Sequence, residues 1–316
     1  MATITADEQI ASVSLKDAER DPDAFAEKLG HSFEEYGFAI IADHGIPEEL
    51  IQNAEEKAKA FFALPEEVKR KYHIAGGGGA RGYTPFGIET AKGATAFDLK
   101  EFWHVGRELA HGHPFRDHMP DNVWPVEVES FRTTFEELFA TFDRTGLKIL
   151  RAIARFLKID EDYFIDTVRD GNSVMRLLHY PPIQGEPGSN VRAGAHEDIN
   201  TITLLLGAEE AGLELLTKDG RWIPVSPKPG ELVVNIGDML QRLTNGRLRS
   251  TTHRVVNPPP ERRGKSRYSM PYFLHFRSDF LIEALPGTVP PGEQPKWPPI
   301  TADDYLQERL REIKLT

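Results

Sequence analysis

Between residues 174 and 277 the chain consists of short apolar runs punctuated by Gly, Pro, Asn and Asp, and this segment restricts the fold more than any other. Residues 174–182 read as a strand halted by Pro181 and Pro182. Residues 213–216 lead through Lys218-Asp219-Gly220, a hairpin-type turn, into residues 221–225. Residues 232–238 form another buried run, and residues 251–256 a strand ended by Asn257 and three prolines. Short strands at this spacing fit a two-sheet barrel or jelly roll, whose mouth can hold a small molecule. The expected fold class is therefore mainly β with flanking helices.

The flanking helices are legible from their apolar spacing. Phe25, Leu29, Phe33 and Tyr36 recur at helical intervals over residues 21–36, with Asp21 and Pro22 suited to the cap and first turn. Gly37 stops that helix before a short buried strand at residues 38–42. His44 falls in the following turn and reads as a hydrogen-bonding structural residue. Pro47 opens a second helix through Leu50, Ile51, Ala54, Ala58, Phe61 and Phe62. Four glycines at residues 76–79 resist regular structure and fit a mobile lid or a plain connector; they lack the Gly-Lys-Ser/Thr ending of a phosphate loop. Residues 98–103 read as a strand carrying charge, residues 126–157 as a long apolar-faced helix, and residues 164–170 as a short one. Residues 301–313, with Thr301 as cap, read as an amphipathic helix that packs on the surface, covers the barrel mouth or mediates a dimer.

Composition removes whole classes of function. The formal net charge of −11 argues against a nucleic-acid binder, which needs a basic face. With no cysteine in the chain, disulfides, zinc–thiolate sites, cysteine-ligated Fe–S clusters and a cysteine nucleophile are excluded. No apolar run approaches the roughly 20 residues of a membrane-spanning helix, and residues 1–15 lack the pattern of a signal peptide. The expectation is a cytoplasmic protein, a monomer or homodimer, acting on a small-molecule substrate.

Chemistry concentrates in Arg192-Ala193-Gly194-Ala195-His196-Glu197-Asp198. On a strand, His196 and Asp198 would project from one face. His253, far downstream on another strand-like run, would complete a triad of two imidazoles and one carboxylate, the donor set of non-haem Fe(II) sites with open positions. Arg267 and Ser269 form a second i, i+2 pair: a planar fork beside a hydroxyl, suited to a carboxylate. His111, His113 and His118 sit in a polar, proline-flanked segment with nothing to fix their geometry, and read as a solvated loop.

In its His196-Glu197-Asp198, distal His253 and Arg267-Tyr268-Ser269, the chain resembles the isopenicillin N synthase-like family of Fe(II)/2-oxoglutarate-dependent oxygenases. Residues 37–47, 61–65 and 235–246 are also similar to that family. The resemblance implies a double-stranded β-helix (jelly-roll) core with an N-terminal α/β region packed on it. It divides the chain into an N-terminal non-haem dioxygenase region (residues 1–120), supporting helices (121–172), the Fe(II)/2-oxoglutarate dioxygenase core (173–280) and a C-terminal extension (281–316). Iron would be held by His196, Asp198 and His253, and 2-oxoglutarate by Arg267, Ser269 and Tyr180, with no catalytic side chain beyond the metal ligands. The implied reaction consumes O2 and 2-oxoglutarate, releases succinate and CO2, and most simply hydroxylates its substrate. One departure stands out, because Leu178 occupies the position where the family often carries an Asn. Related Fe(II) oxidases that do not use 2-oxoglutarate keep the Arg-X-Ser pair, and a non-catalytic metal- or ligand-binding barrel is the alternative from another class. Tyr83, Phe86, Phe102, Phe273 and His275 are the candidate substrate walls.

Overall fold

The computed structural model describes residues 10–77, 79–88, 97–188, 190–207 and 212–312. The chain opens with β1 (Ser12–Ser14), α1 (Asp17–Arg20), α2 (Pro22–Tyr36), β2 (Phe38–Ala42), α3 (Glu48–Phe62) and α4 (Glu66–Lys69). Next come β3 (Gly82–Thr84), β4 (Glu101–Gly106), α5 (Phe131–Leu157) and α6 (Tyr163–Val168). The β-rich segment follows: β5 (Val174–Tyr180), β6 (Ala193–His196), β7 (Ile202–Gly207), β8 (Leu213–Leu216), β9 (Trp222–Pro224), β10 (Leu232–Ile236), α7 (Asp238–Leu243), β11 (His253–Val255) and β12 (Arg267–Leu274). Two two-residue strands, β13 (Leu281–Ile282) and β14 (Ile300–Thr301), precede α8 (Ala302–Glu312).

Eight strands form the large sheet in the order β1-β2-β10-β7-β12-β5-β4-β3, and four form the small one as β6-β11-β8-β9. Apart from the parallel pair β1–β2, all these pairings are antiparallel. Period-2 alternation sorts the side chains of the large sheet into two cores. Ile41, Trp103, Met175, Leu177, Leu204, Val234, Tyr272 and Leu274 face the helices. Phe38, Ile40, Phe102, Leu178, Tyr180 and Val233 face the small sheet, where they meet Leu213, Leu215, Ile223 and Val255. The functional side chains described below gather around this second core, between the two sheets.

Helix α5 supports the sheet from outside. Phe142 stacks on Tyr272 at 5.1 Å and Phe139 meets the same ring edge-on at 5.0 Å, contacts worth roughly 0.5–1.5 kcal/mol each beyond their burial. The Tyr272 hydroxyl reaches Asp143, which Arg107 pairs at 2.8 Å. A buried polar network ties α4 to the same side: Glu101 accepts from Lys69 Nζ at 2.8 Å, from the Tyr83 hydroxyl and from His179 at 2.7 Å. Burial pushes the Glu101 carboxyl up, but the bonds from His179, Lys69 and Tyr83 outweigh it and hold the carboxyl below its usual value.

Several expected boundaries move for local reasons. The long helix starts at Phe131 rather than residue 126, because Ser130 sits at φ +59° and breaks the helical path. The strand expected at residues 98–103 runs over Glu101–Gly106, since Asp98 and Lys100 pair at 2.9 Å ahead of it and Leu99 N–H bonds the Val191 carbonyl. The helix expected at residues 164–170 spans Tyr163–Val168. Asp21 caps α2 through Ala24 N–H, and Gly37 ends it in the left-handed conformation. The Thr301 hydroxyl accepts from Asp304 N–H as the expected cap, and α8 packs on α7 through a Tyr305–Asp238 hydrogen bond of 3.0 Å. Residue 313, Gly78 of the glycine run and the last residues of the C-terminus lie outside the described residues. Among the described residues no helix is long and apolar enough to cross a membrane.

Candidate metal centre

Three donors converge where the two sheets face each other. His196 ends β6 and His253 begins β11, and these residues are directly paired across the small sheet. Their rings stand 4.4 Å apart. Asp198 does not share the strand of His196, contrary to the i, i+2 expectation: β6 ends at His196, and Asp198 lies in the loop before β7. Its main-chain carbonyl accepts from Asp238 N–H at 2.7 Å, which pulls the loop toward the start of α7. The carboxylate nevertheless reaches the imidazoles. Asp198 Oδ1 lies 3.9 Å from His196 Nε2 and 3.8 Å from His253 Nε2. Ligand atoms of all three residues lie within 4.8 Å of one another, the one such group among the described residues.

Hydrogen bonds fix which atom each residue presents. His196 Nδ1 donates to the Gly194 carbonyl at 2.7 Å, and His253 Nδ1 to the Thr251 carbonyl at 3.0 Å. Both Nε2 atoms are thereby left as lone-pair donors facing Asp198. Asp198 Oδ2 accepts from Thr203 Oγ1 at 2.6 Å and Asn235 Nδ2 at 2.8 Å, turning Oδ1 toward the imidazoles. Burial and then the neighbouring His253 hold His196 down to about 4. Burial raises the Asp198 carboxyl, but His253, His196, Asn235 and Thr203 more than offset it, and the net direction is downward. Neutral imidazole beside ionised carboxylate is the protonation state a metal ion requires. Two nitrogens and one oxygen, with His196 exposed on one side (39% of its side chain), fit Fe(II) with open positions.

The carboxylate cradle lies on the inner face of β12. Arg267 Nη1 donates to Ser269 Oγ at 3.2 Å, and the Tyr180 ring sits 5.0 Å from the guanidinium. Arg267 pairs with Tyr180 and Ser269 with Leu178 across β12–β5. All four side chains are buried. An arginine fork beside a hydroxyl in such a dry site fits one end of a dicarboxylate. Leu178 brings only hydrocarbon to the place opposite Ser269.

The five candidate wall residues divide by strand parity. Phe102 and Phe273 lie on the inner face, and the buried His275 is close enough to feel the Asp198 charge. Tyr83 points the other way, buried against Phe61 and hydrogen-bonded to Glu101, so it packs the helix-side core. Phe86 is exposed and meets Phe97 edge-on at 5.8 Å, outside the inner core. His44 is the structural residue expected: its Nε2 donates to the Gly230 carbonyl and its Nδ1 accepts from Ile46 N–H. His113 and His118 pair separately with Asp170 and Asp303. Of the residues that hold Asp198, Thr203 was not singled out from the sequence and Asn235 only as the start of a family-like stretch; the local signal at each is a polar residue interrupting an apolar strand.

Comparison with known proteins agrees with this geometry. Residues 10–127 match the family described as the N-terminal region of non-haem dioxygenases in morphine synthesis, and residues 171–276 match the 2OG-Fe(II) oxygenase superfamily. The 2-oxoglutarate-Fe(II) type oxidoreductase hxnY of Emericella nidulans is 36% identical over 291 residues, covering 89% of this chain and 82% of that protein. A Caulobacter crescentus structure assigned to the 2OG-Fe(II) oxygenase family is 57% identical at a TM-score of 0.90, covering 96% of this chain and 99% of its own. A full-length Neurospora crassa protein solved in complex with alpha-KG is 31% identical at a TM-score of 0.87, with 98% of each chain covered; the same protein has also been solved with alpha-KG and thymine.

Proposed function

We propose that this chain, which belongs to the 2OG-Fe(II) oxygenase superfamily, hydroxylates a small organic molecule at an iron held by His196, Asp198 and His253. The observation that carries the reading is the convergence of two Nε2 lone pairs and one carboxylate oxygen, each fixed by hydrogen bonds behind it. In this reading Arg267 and Ser269 take the 5-carboxylate of 2-oxoglutarate and Tyr180 lies against it. Iron, 2-oxoglutarate and O2 together supply the oxidising power that replaces a substrate C–H bond by C–OH, leaving succinate and CO2.

The protein's own contribution is orientation and exclusion of water. The Gly194 and Thr251 carbonyls keep each imidazole in one tautomer, and Thr203 with Asn235 keeps the carboxylate from rotating. Phe38 packs edge-on against His253 at 5.4 Å and closes the β2 side of the centre. Buried His275 is held neutral, its nitrogens pushed down to about 4 by burial, so it adds no charge beside the site. We further read the protein as cytoplasmic, a monomer or homodimer, and without a nucleic-acid partner, in keeping with its net charge of −11.

Turnover of 2-oxoglutarate tests the reading. Aerobic protein with Fe(II) should release succinate and CO2 in equal amounts, faster with a true substrate, and His253→Ala should lose this release. Oxygen consumption with product but without succinate would overturn it in favour of an oxidase that does not use 2-oxoglutarate.

A further inference from the structure

Residues 198–201 link β6 to β7, and the start of α7 holds their main chain. The carbonyls of Asp198 and Thr201 accept from Asp238 N–H at 2.7 Å and Gly237 N–H at 3.0 Å. Met239 N–H is shared by the carbonyls of Ile199 and Asn200, at 3.2 and 3.1 Å. These donors belong to the helix start, where N–H groups lack intrahelical partners, and Gly237 brings no side-chain cap. The loop is therefore the cap of α7. The fit is close: a Cβ on Gly237 would stand 2.1 Å from the Asn200 carbonyl oxygen. The place of α7 thus decides where the main chain of Asp198 lies, while Thr203 and Asn235 aim its carboxylate.

Helix α7 has six residues, too few to hold its own place. The C-terminal helix supports it at the very residue that holds Asp198. Tyr305 donates its hydroxyl to Asp238 Oδ2 at 3.0 Å, and Arg309 Nε lies 3.6 Å from the same oxygen. The Arg242 guanidinium of α7 lies over the Tyr305 ring at 4.9 Å. Ala302 and Tyr305 are the buried residues of α8, so this contact is the main anchor of that helix. Asp238 therefore faces both ways. Its main chain holds the loop of the metal ligand, and its buried side chain holds α8.

We propose that Asp238 and Tyr305 are positioning residues for Asp198, and that docking of α8 and binding of iron at the triad strengthen each other. The inference rests on the metal reading of the triad and extends it to a helix that contributes no ligand. Coupling between two sites is reciprocal. Metal that fixes the Asp198 loop must steady α8, and loss of the α8 anchor must loosen the metal.

Fe(II) affinity and amide hydrogen exchange test this on the full chain without turnover. Anaerobic competition with a chelator should give a dissociation constant raised about threefold or more in Tyr305→Phe, within the roughly tenfold that one hydrogen bond supports. Asp238→Ala should lose at least as much. Asp238→Asn keeps an acceptor for the hydroxyl and should fall closer to wild type. Ile153→Val, a buried change in α5 outside this set of contacts, should lower the unfolding midpoint and leave the affinity within about twofold. The visible spectrum of Co(II) bound in place of iron should shift in Tyr305→Phe and not in Ile153→Val. Exchange of residues 302–312 should slow when Fe(II) is added to wild type, and this slowing should vanish in Asp238→Ala. Exchange in α8 that ignores Fe(II), or a Tyr305→Phe affinity no more changed than that of Ile153→Val, would overturn the proposal and leave the metal reading intact. Wild type that binds no Fe(II) would strike the metal reading itself, and the coupling with it.

Discussion

Thr203→Val isolates the bond that aims the carboxylate. Valine matches threonine in shape, so the buried strand β7 keeps its packing, and the change removes the 2.6 Å hydrogen bond from Oγ1 to Asp198 Oδ2. Asn235 Nδ2 still donates to the same oxygen at 2.8 Å, so the carboxylate is loosened rather than orphaned. Asn200 Nδ2, which also reaches Thr203 Oγ1, keeps its bond to the Ile202 carbonyl. A hydrogen bond to a charged group is worth about 1.5–3 kcal/mol, equivalent to a roughly 10- to 150-fold change in an equilibrium constant. Losing a partner of a metal ligand typically costs about 10- to 100-fold in affinity. The expected result is therefore an Fe(II) dissociation constant raised about 10- to 100-fold, measured anaerobically by competition with a chelator, with Thr203→Ser close to wild type. An Fe(II) affinity within about twofold of wild type in Thr203→Val would refute the reasoning that this bond sets the direction of Asp198.

Three further perturbations probe other parts of the structure. Arg267→Lys keeps the charge and removes the fork, so the 2-oxoglutarate dissociation constant should rise about 10- to 100-fold, with Fe(II) affinity unchanged, as read by calorimetry. Gly37→Ala places a Cβ 2.3 Å from Thr251 Oγ1 and 2.4 Å from the Arg249 carbonyl at φ +69°; denaturant unfolding should show a loss of at least about 2 kcal/mol. Lys69→Met strips one partner from the buried Glu101 and should cost about 3 kcal/mol at neutral pH, at the low end for a broken buried pair because His179 and Tyr83 remain. Because the folded carboxyl of Glu101 is depressed, its stabilisation is full above the unfolded value of about 4.3 and is lost as pH falls through the lower folded value. The wild-type advantage over Lys69→Met should accordingly shrink in acid unfolding curves.

The core strands were readable as short apolar runs bounded by Gly, Pro, Asn and Asp, because a strand buried on both faces needs apolar residues along its length and a turn at its end: β5, β8, β10 and β12 lie where the runs of residues 174–277 put them. The metal ligands were legible as residue types, yet their geometry was not. Asp198 was expected on the strand of His196, but its position depends on Asp238, Thr203 and Asn235, contacts between distant segments that no local spacing reveals. Tyr83 shows the same limit, because the face a three-residue strand presents depends on its partner. The onset of α5 escaped because a left-handed Ser130 leaves no mark in an apolar pattern.

The central claim is that one triad and one cradle bind iron and 2-oxoglutarate together. Anaerobic addition of Fe(II) and 2-oxoglutarate to the protein should produce a visible metal-to-ligand charge-transfer band, absent in His196→Ala and weakened in Arg267→Ala. Wild-type protein that binds iron and shows no such band would contradict the account.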